Sequence, residues 1–306
     1  MKRGMMAVVL GLVLCTASAG WAQLHQENWV PNRYKIKCVA GPCTLSSALY
    51  KLLPTLMADA VGVMKGMGFK APANWGYRKD AGTKSDHVSI YDKSGQSSTI
   101  AGAAPRCASD KAEMIVGSGA PKFAKRKPLL FYFLAHELFH LIQYSYPTWD
   151  NANCEGAPGW IKEGTATAVG LAAMKKRFPR STPTPRSENE KAMLAGLRRY
   201  DEPLAARHKR KSGNARSVGK ELTTGERIYY HTASFWRHLA AVYYGGKFKY
   251  LHTYLTTKVS AGHDWVGWLR KNVKRDTGTH LSLVFAGFLA DYAGWYEKGF
   301  PGHRYK

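Results

Sequence analysis

The sequence predicts an α+β fold, with an N-terminal helix and small sheet, a central buried helix and a mostly helical C-terminal lobe. Three observations lead to this class. Apolar residues in 44–68 recur at helical spacing, β-branched and apolar runs follow at 87–92 and 112–118, and the long apolar segments after residue 127 are helical in length and pattern. Strands and helices are thus grouped along the chain, which is typical of α+β proteins.

The N-terminal lobe is predicted to span 23–146. Its first helix, 44–68, is expected to bend or begin at Pro54 and to stop in a glycine cluster. The two predicted strands are HVSIYD (87–92) and AEMIVGS (112–118). KPLLFYFLAHELFHLIQYSY (127–146) is apolar almost all round, which indicates a buried helix, and Pro147 is expected to end it.

The C-terminal lobe, 147–306, is predicted to be mostly helical. WIKEGTATAVGLAAMKKR follows a loop and reads as the second helix of the chain's central region. The polar, basic stretch 178–225 holds one predicted helix, near ENEKAMLAGLRRY. The last four predicted helices lie at 226–244, 249–259, 264–273 and 281–296.

Residues 1–22 follow the secretory-signal pattern: Lys2 and Arg3, an apolar centre, then small residues. Cleavage is expected after Ala19 or Ala22. The apolar centre is too short to anchor the chain in a bilayer, and no later segment is long and apolar enough to be transmembrane. We therefore expect an exported, soluble protein, periplasmic or secreted.

Four cysteines follow the predicted signal peptide: Cys38, Cys43, Cys107 and Cys154. An even number in an oxidising compartment predicts disulfides, and four cysteines allow three pairings. The short loop CVAGPC favours Cys38–Cys43, which leaves Cys107–Cys154 to tie the loop after the strands to the loop before the second central helix. The alternative, a cysteine zinc site, lacks paired C-x-x-C spacing.

The formal net charge is +24. Such a surface attracts anions, among them acidic proteins and the polymers of a polyanionic cell envelope. Much of the charge lies in KKRFPRSTPTPR (175–186) and RHKRKSGNAR (207–216). Because these runs lie among Pro, Ser and Gly without interleaved aromatic residues, we interpret them as solvated loops, with an anion-binding surface as the alternative. No motif for specific nucleic-acid binding occurs.

The segment FYFLAHELFHLIQ (131–143) places His136, Glu137 and His140 in an otherwise apolar run. Residues four apart lie on nearly the same helix face, so the two imidazoles can bind one ion. Glu137 lies roughly 100° around the helix, where it can hold and deprotonate a water. The alternative, two histidines and a glutamate that are ordinary core residues, requires a separate partner for each buried group.

A catalytic zinc site needs a third protein ligand and one open position. The metzincin pattern is excluded, because Gln143 and Tyr146 occupy the places of its glycine and third histidine. A second pattern takes the third ligand from a glutamate on a downstream helix. GWIKEGTATA supplies Glu163, with 163 − 140 − 1 = 22 residues between it and His140.

HELFH followed by WIKEGTA resembles the gluzincin metallopeptidases, whose third zinc ligand is the Glu of a W-x-x-E-G-x-A segment. The resemblance covers about 30 residues. It implies a zincin-like fold, one Zn²⁺ per chain with His136, His140 and Glu163 as ligands, and Glu137 as the general base. Small residues after Glu163 would let the two helices pack closely around the ion.

A further element of the family is a downstream tyrosine or histidine that stabilises the developing oxyanion. RIYYHTASFW resembles the tyrosine-bearing helix of the gluzincin aminopeptidases and places this role on Tyr230, with Tyr229 and His231 as neighbouring candidates. Plain helix packing is the alternative for this aromatic cluster. The chain departs from the gluzincin aminopeptidases in its longer spacing from His140 to Glu163 and in lacking their G-x-M-E-N motif, and it has Thr167 where thermolysin-like members carry an acidic residue.

Together these patterns predict an exported zinc metallopeptidase acting on a peptide or protein substrate. The peptide cross-bridges of a cell wall are one possible target. The rival hypothesis is a non-catalytic, basic protein that binds polyanions or the envelope on a zincin scaffold. An intact Glu137 favours the enzyme, because a binding protein has no evident structural need for that carboxylate.

Overall fold

The computed structural model describes residues 29, 32–38, 45–72, 75, 77–78, 83–84, 87–92, 101–105, 112–118, 120–146, 157–179, 233–259 and 264–288. Its strands are β1 (Tyr34–Cys38), β2 (Tyr77–Arg78), β3 (Thr83–Lys84), β4 (Val88–Asp92), β5 (Ala101–Pro105) and β6 (Ala112–Val116). Its helices are α1 (Ser47–Gly66), α2 (Lys127–Tyr144), α3 (Gly159–Arg177), α4 (Ala233–Tyr243), α5 (Tyr250–Thr256), α6 (Trp265–Thr277) and α7 (281–288). A 3₁₀ turn spans Ala120–Phe123.

The main sheet has the strand order β1-β4-β6-β5. The strands β1, β4 and β6 are parallel, and β5 pairs antiparallel with β6 at the edge. Val88, Ile90 and Asp92 of β4 are buried, and the residues between them are half-buried. This small sheet, with helices before and after it, confirms the α+β class and the two predicted strands.

The helix α1 begins at Ser47, so Pro54 lies inside the helix and does not start it. Two hydrogen bonds stabilise this start of the helix, which precedes Pro54. The Ser46 hydroxyl accepts a hydrogen bond from the backbone N–H of Leu49 at 3.4 Å, and the buried Asp92 carboxylate accepts one from the N–H of Leu45 at 3.3 Å. The predicted stop in a glycine cluster is confirmed, since α1 ends at Gly66.

The helix α2 lies at the centre of the core, as its apolar sequence predicts. Leu130, Phe131 and Leu138 are fully buried. The helix packs against α1, α3 and the β5–β6 side of the sheet. It ends at Tyr144, two residues before the predicted end, and Pro147 lies outside the described residues.

The helix α4 packs on α3 through two tryptophans. The indole rings of Trp160 and Trp236 stack with centroids 6.3 Å apart, and Trp236 Nε1 donates to the Trp160 carbonyl oxygen at 3.4 Å. Farther along, the Tyr146 hydroxyl lies 2.7 Å from Nδ1 of His252, which joins the end of α2 to α5. These contacts hold α3 in place against the C-terminal helices.

The predicted C-terminal helices are found wherever the structure describes the chain. The helix α6 continues four residues beyond its predicted end at 273 and stops at Gly278, which has a φ of 68°. The predicted signal peptide, the stretch 180–232 and the end of the last predicted helix lie outside the described residues. No described helix combines the length and the apolar character needed to cross a membrane.

Candidate metal centre

The candidate site is built by α2 and α3, which run antiparallel. Gln143 contacts Lys162 and Thr165, His140 contacts Glu163, and His136, one turn earlier on α2, lies near Thr167, one turn later on α3. As the residue number falls on α2, it rises on α3.

The two helices approach closely at Gly170 of α3. A Cβ at this position would lie 3.1 Å from the Tyr132 ring and 3.3 Å from the Cβ of His136. A side chain here would therefore push against α2 at the first histidine of the motif. Ala166 of the same helix is fully buried.

Three candidate ligand atoms converge between the helices. Nε2 of His136 lies 3.0 Å from Nε2 of His140, and these two nitrogens lie 3.2 and 3.1 Å from Oε2 of Glu163. Both histidines are buried and Glu163 is partly exposed. Of the residues that the structure describes, these three form the one group of His, Cys, Asp or Glu side chains able to hold a metal ion.

The spacing of these atoms fits a tetrahedral ion. For ligands about 2.0–2.1 Å from a zinc ion, neighbouring ligand atoms lie about 3.3 Å apart. The three observed separations, 3.0, 3.1 and 3.2 Å, are close to this value. Two imidazoles and one carboxylate also form a donor set that zinc accepts, with a fourth position left for water or substrate.

Gln143 fixes the tautomer of His140. The carbonyl oxygen of Lys162 can only accept a hydrogen bond, so the Gln143 atom 3.0 Å from it is the amide nitrogen. The Gln143 Oε1 then faces Nδ1 of His140 at 2.7 Å, and Nδ1 must carry the proton. In the neutral imidazole, Nε2 is therefore left with a lone pair that points at Nε2 of His136 and at Glu163.

In this arrangement, hydrogen-bond acceptors of His140 and Glu163 face each other. The Nε2 lone pair of His140 lies 3.1 Å from a carboxylate oxygen, and neither atom has a proton to share unless the imidazole takes up a second one. A cation between them, either a proton or a metal ion, relieves the repulsion. Because Nε2 of His136 also lies within 3.2 Å of the same oxygen, a metal ion can satisfy all three atoms at once.

Thr167 lies beside the first histidine, with its hydroxyl 3.4 Å from Nδ1 of His136. This is the position at which thermolysin-like enzymes carry an acidic residue. The uncharged hydroxyl is placed to orient the imidazole without adding negative charge. The structure thus places Gln143 and Thr167 beside the Nδ1 atoms of the two histidines, where partners that orient metal-binding imidazoles normally lie.

The electrostatics of the cluster are dominated by Glu163. Burial raises the pKa of its carboxyl, but hydrogen bonds and charge interactions with His136 and His140 outweigh burial and hold that pKa well below its usual range. Burial lowers the pKa of His140, but Glu163 and the charge of Glu137 overcome this and raise it. The carboxylate at 163 is thus ionised at neutral pH, as a metal ligand must be.

Glu137 lies beside the ligand cluster and is not part of it. It is half-buried on α2, next to His136 in the chain, and its charge acts on His140. Its carboxylate thus acts electrostatically on one of the candidate ligands while remaining outside the group of side chains that could hold an ion.

Of the remaining predicted site residues, Cys38 alone lies within the part of the chain that the structure describes. Tyr230 lies outside the described residues, as do Cys43, Cys107 and Cys154. Cys38 ends β1, and its Sγ lies 3.3 Å from the hydroxyl of Tyr50. The oxyanion role and the disulfide pairing stay predictions.

We expect Gln143→Leu to weaken zinc binding about 10- to 100-fold, the usual effect of losing a partner that orients a metal-bound histidine. Leucine retains much of the volume of this fully buried side chain but cannot accept the hydrogen bond that Nδ1–H of His140 donates. Zinc affinity would be measured by competition with a chromogenic chelator.

Asn272→Leu is the matched control, because Asn272 is an equally buried amide that bonds to Thr257 and Trp268, away from the site. Both variants should lose folding stability, since each leaves buried groups unpaired. Equal zinc affinity in the two variants would exclude a positioning role for Gln143.

Comparison with known proteins places the chain in no family. No protein-family model matches it, and neither a curated protein nor a solved structure shows significant similarity.

Proposed function

We propose that this protein is an exported, zinc-dependent metallopeptidase of the gluzincin type, with a zincin-like fold. The observation that carries the proposal is the convergence of His136 Nε2, His140 Nε2 and Glu163 Oε2 within 3.0–3.2 Å of one another. Two imidazoles and one carboxylate would leave a zinc ion with an open position for water or substrate, as catalytic sites require and closed structural sites do not offer. The antiparallel helix pair beside a small mixed sheet is compatible with this fold.

Zinc held by these residues would polarise a scissile carbonyl and increase the acidity of a water molecule at the open position. The residues around the zinc would then have distinct roles. Glu137 accepts the proton of the attacking water and returns it to the leaving amine. Gln143 holds His140 in the tautomer that binds metal through Nε2, and Glu163 completes the ligand set.

By the same resemblance, Tyr230 donates a hydrogen bond to the oxyanion that forms as water attacks the carbonyl. A neutral phenol suits this role because it donates without adding charge. The proposal for Tyr230 rests on the motif alone, whereas the proposals for His136, His140 and Glu163 also rest on the distances between their side-chain atoms.

The direct test is hydrolysis by the zinc-loaded protein. We expect cleavage of a denatured protein or of purified cell-wall material, detected by peptide release and by loss of turbidity respectively. A chelator should abolish the activity and added zinc should restore it. Protein that carries one zinc per chain but cleaves neither substrate would contradict the peptidase proposal, and the difference between the two assays would identify the substrate class.

A further inference from the structure

A cavity of about 630 Å³ lies away from the candidate metal centre. Its walls come from the end of α1, from the C-terminal half of α3, from α4 and from the turn that leads into α5. This volume is within the range that small-molecule sites occupy, roughly 300–1,000 Å³. The cavity is independent of whether the protein binds zinc.

The cavity is lined by an unusual number of cations, and we refer to it as the cationic cavity. Five of the described residues around it are basic: Lys175, Lys176, Arg237, Lys247 and Lys249. They come from three segments of the chain, α3, α4 and the turn before α5. No aspartate or glutamate occurs among the described lining residues.

Two consecutive basic residues of α3, Lys176 and Arg177, have different partners. Arg177 is outside the cavity lining and forms an ion pair with Asp59 at 2.8 Å. Lys176 lines the cavity and donates from Nζ to the Gly66 carbonyl oxygen at 3.2 Å, at the end of α1. A lysine at this position counters the partial negative charge of the helix end.

Gathering five like charges around one concave surface raises their mutual repulsion, and a concave wall of low dielectric focuses the positive potential. An anion in the cavity would offset this repulsion. The lining also has an apolar part, formed by Met67, Leu171 and Phe248, against which the uncharged part of a ligand can pack. A multiply charged anion with a small apolar portion fits both features.

The basic residues of the cationic cavity suit phosphate groups. Four of the five are lysines, whose ammonium groups bind phosphate as compact point charges with freely rotating donors. The one arginine adds a planar fork that can bind two oxygens of a phosphate at once. Tetrahedral phosphate oxygens can be approached by several ammonium groups from different directions.

We propose that the cationic cavity binds a ligand with clustered phosphate groups. The site goes beyond the proposed peptidase activity. Lys175 follows Glu163 on α3 by 175 − 163 = 12 residues, or about 18 Å along the helix axis at 1.5 Å per residue. Bound phosphate would therefore lie well outside coordinating distance of the metal centre.

The experiment measures the binding of tripolyphosphate to the protein by calorimetry. We expect saturable binding with one ligand per chain. The variant Lys247→Gln should bind about tenfold more weakly or worse, because this lysine of the lining supplies a charge-assisted contact. Lys271→Gln, an exposed lysine on α6 outside the lining, is the matched control and should bind like the parent.

Ala172→Phe separates a true site from general attraction to a basic surface. Ala172 lines the cavity, so phenylalanine should fill part of it while leaving the net charge unchanged. Loss of binding in this variant supports the cavity. Unchanged affinity in Ala172→Phe, or an equal loss in Lys271→Gln, would overturn the proposal. If the melting temperature shows that Ala172→Phe is unfolded, the comparison of the lysine variants decides.

A second arm identifies the source of the phosphate. Vesicles of phosphatidylcholine with cardiolipin, whose headgroup carries two phosphates, would be sedimented with the protein, with and without tripolyphosphate. Capture that tripolyphosphate and the cavity variants abolish would assign a lipid headgroup to the cavity. Binding of tripolyphosphate without capture by vesicles would assign a soluble phosphate compound.

Discussion

Replacing Glu163 with alanine is expected to reduce the zinc content of the purified protein from about one ion per chain to near zero. The variant removes one of three ligands and leaves two imidazole nitrogens 3.0 Å apart. Loss of a ligand should weaken binding by more than the 10- to 100-fold typical of an outer partner. Metal content would be measured by mass spectrometry and affinity by chelator competition.

The same variant should change how zinc affects folding. A ligand that binds only the native state stabilises it, by about 2.7 kcal/mol when its free concentration is a hundred times its dissociation constant. Added zinc should therefore raise the free energy of unfolding of the parent and leave that of Glu163→Ala nearly unchanged. Urea denaturation with and without zinc measures both.

Asp59→Ala is a suitable control, because it removes a carboxylate that pairs with Arg177 on the surface and contacts no ligand. It should retain the zinc of the parent. A parent protein without zinc, even after reconstitution, would mean that His136 and His140 are core residues. The peptidase proposal would then be withdrawn.

The approach of His136 to His140 could be predicted because the geometry is local: one helix fixes the separation of the two residues. Glu163 was expected beside them because GWIKEGTATA resembles the W-x-x-E-G-x-A segment of the gluzincins, and its own helix is evident from its composition. The sequence also indicated that Glu137 lies outside the ligand group, because it is one residue from His136. The structure brings the three candidate ligands together as this reasoning expects.

The role of Gln143 could not be predicted, because it depends on where α3 crosses α2. In the sequence, Gln143 served only to exclude the metzincin pattern. Its amide nitrogen bonds to the Lys162 carbonyl and the Thr165 hydroxyl, both on the other helix. The available signal was a polar residue three positions after His140 in a run that is otherwise apolar.

Two strands of the main sheet, β1 and β5, were missed for different reasons. The strand β5 reads AGAAP and contains no β-branched or aromatic residue, so nothing local distinguishes it from a loop. The strand β1, YKIKC, has two lysines among its five residues, and its alternation of apolar and charged residues is a strand pattern that the sequence analysis did not use. The strand β5 forms because β6 offers unpaired backbone groups at its edge, and that pairing is not encoded in AGAAP itself.

Replacing Glu137 with glutamine is expected to abolish hydrolysis while leaving zinc bound. Glutamine is nearly isosteric but cannot accept the proton of the attacking water, and loss of a general base typically lowers the rate about 10²- to 10⁴-fold. Zinc should remain, because Glu137 lies outside the group of ligand atoms. The measurements are kcat/KM on a denatured protein and metal content of the same preparation.

The contrast with His140→Ala separates the two kinds of residue. That variant removes a ligand atom 3.1 Å from Glu163, so zinc and activity should be lost together. If Glu137→Gln also lost zinc, the carboxylate would be acting on the metal site and not on the water. Full activity in Glu137→Gln would remove it from the general-base role, and the proton would have to be accepted by another group near the open position of the metal.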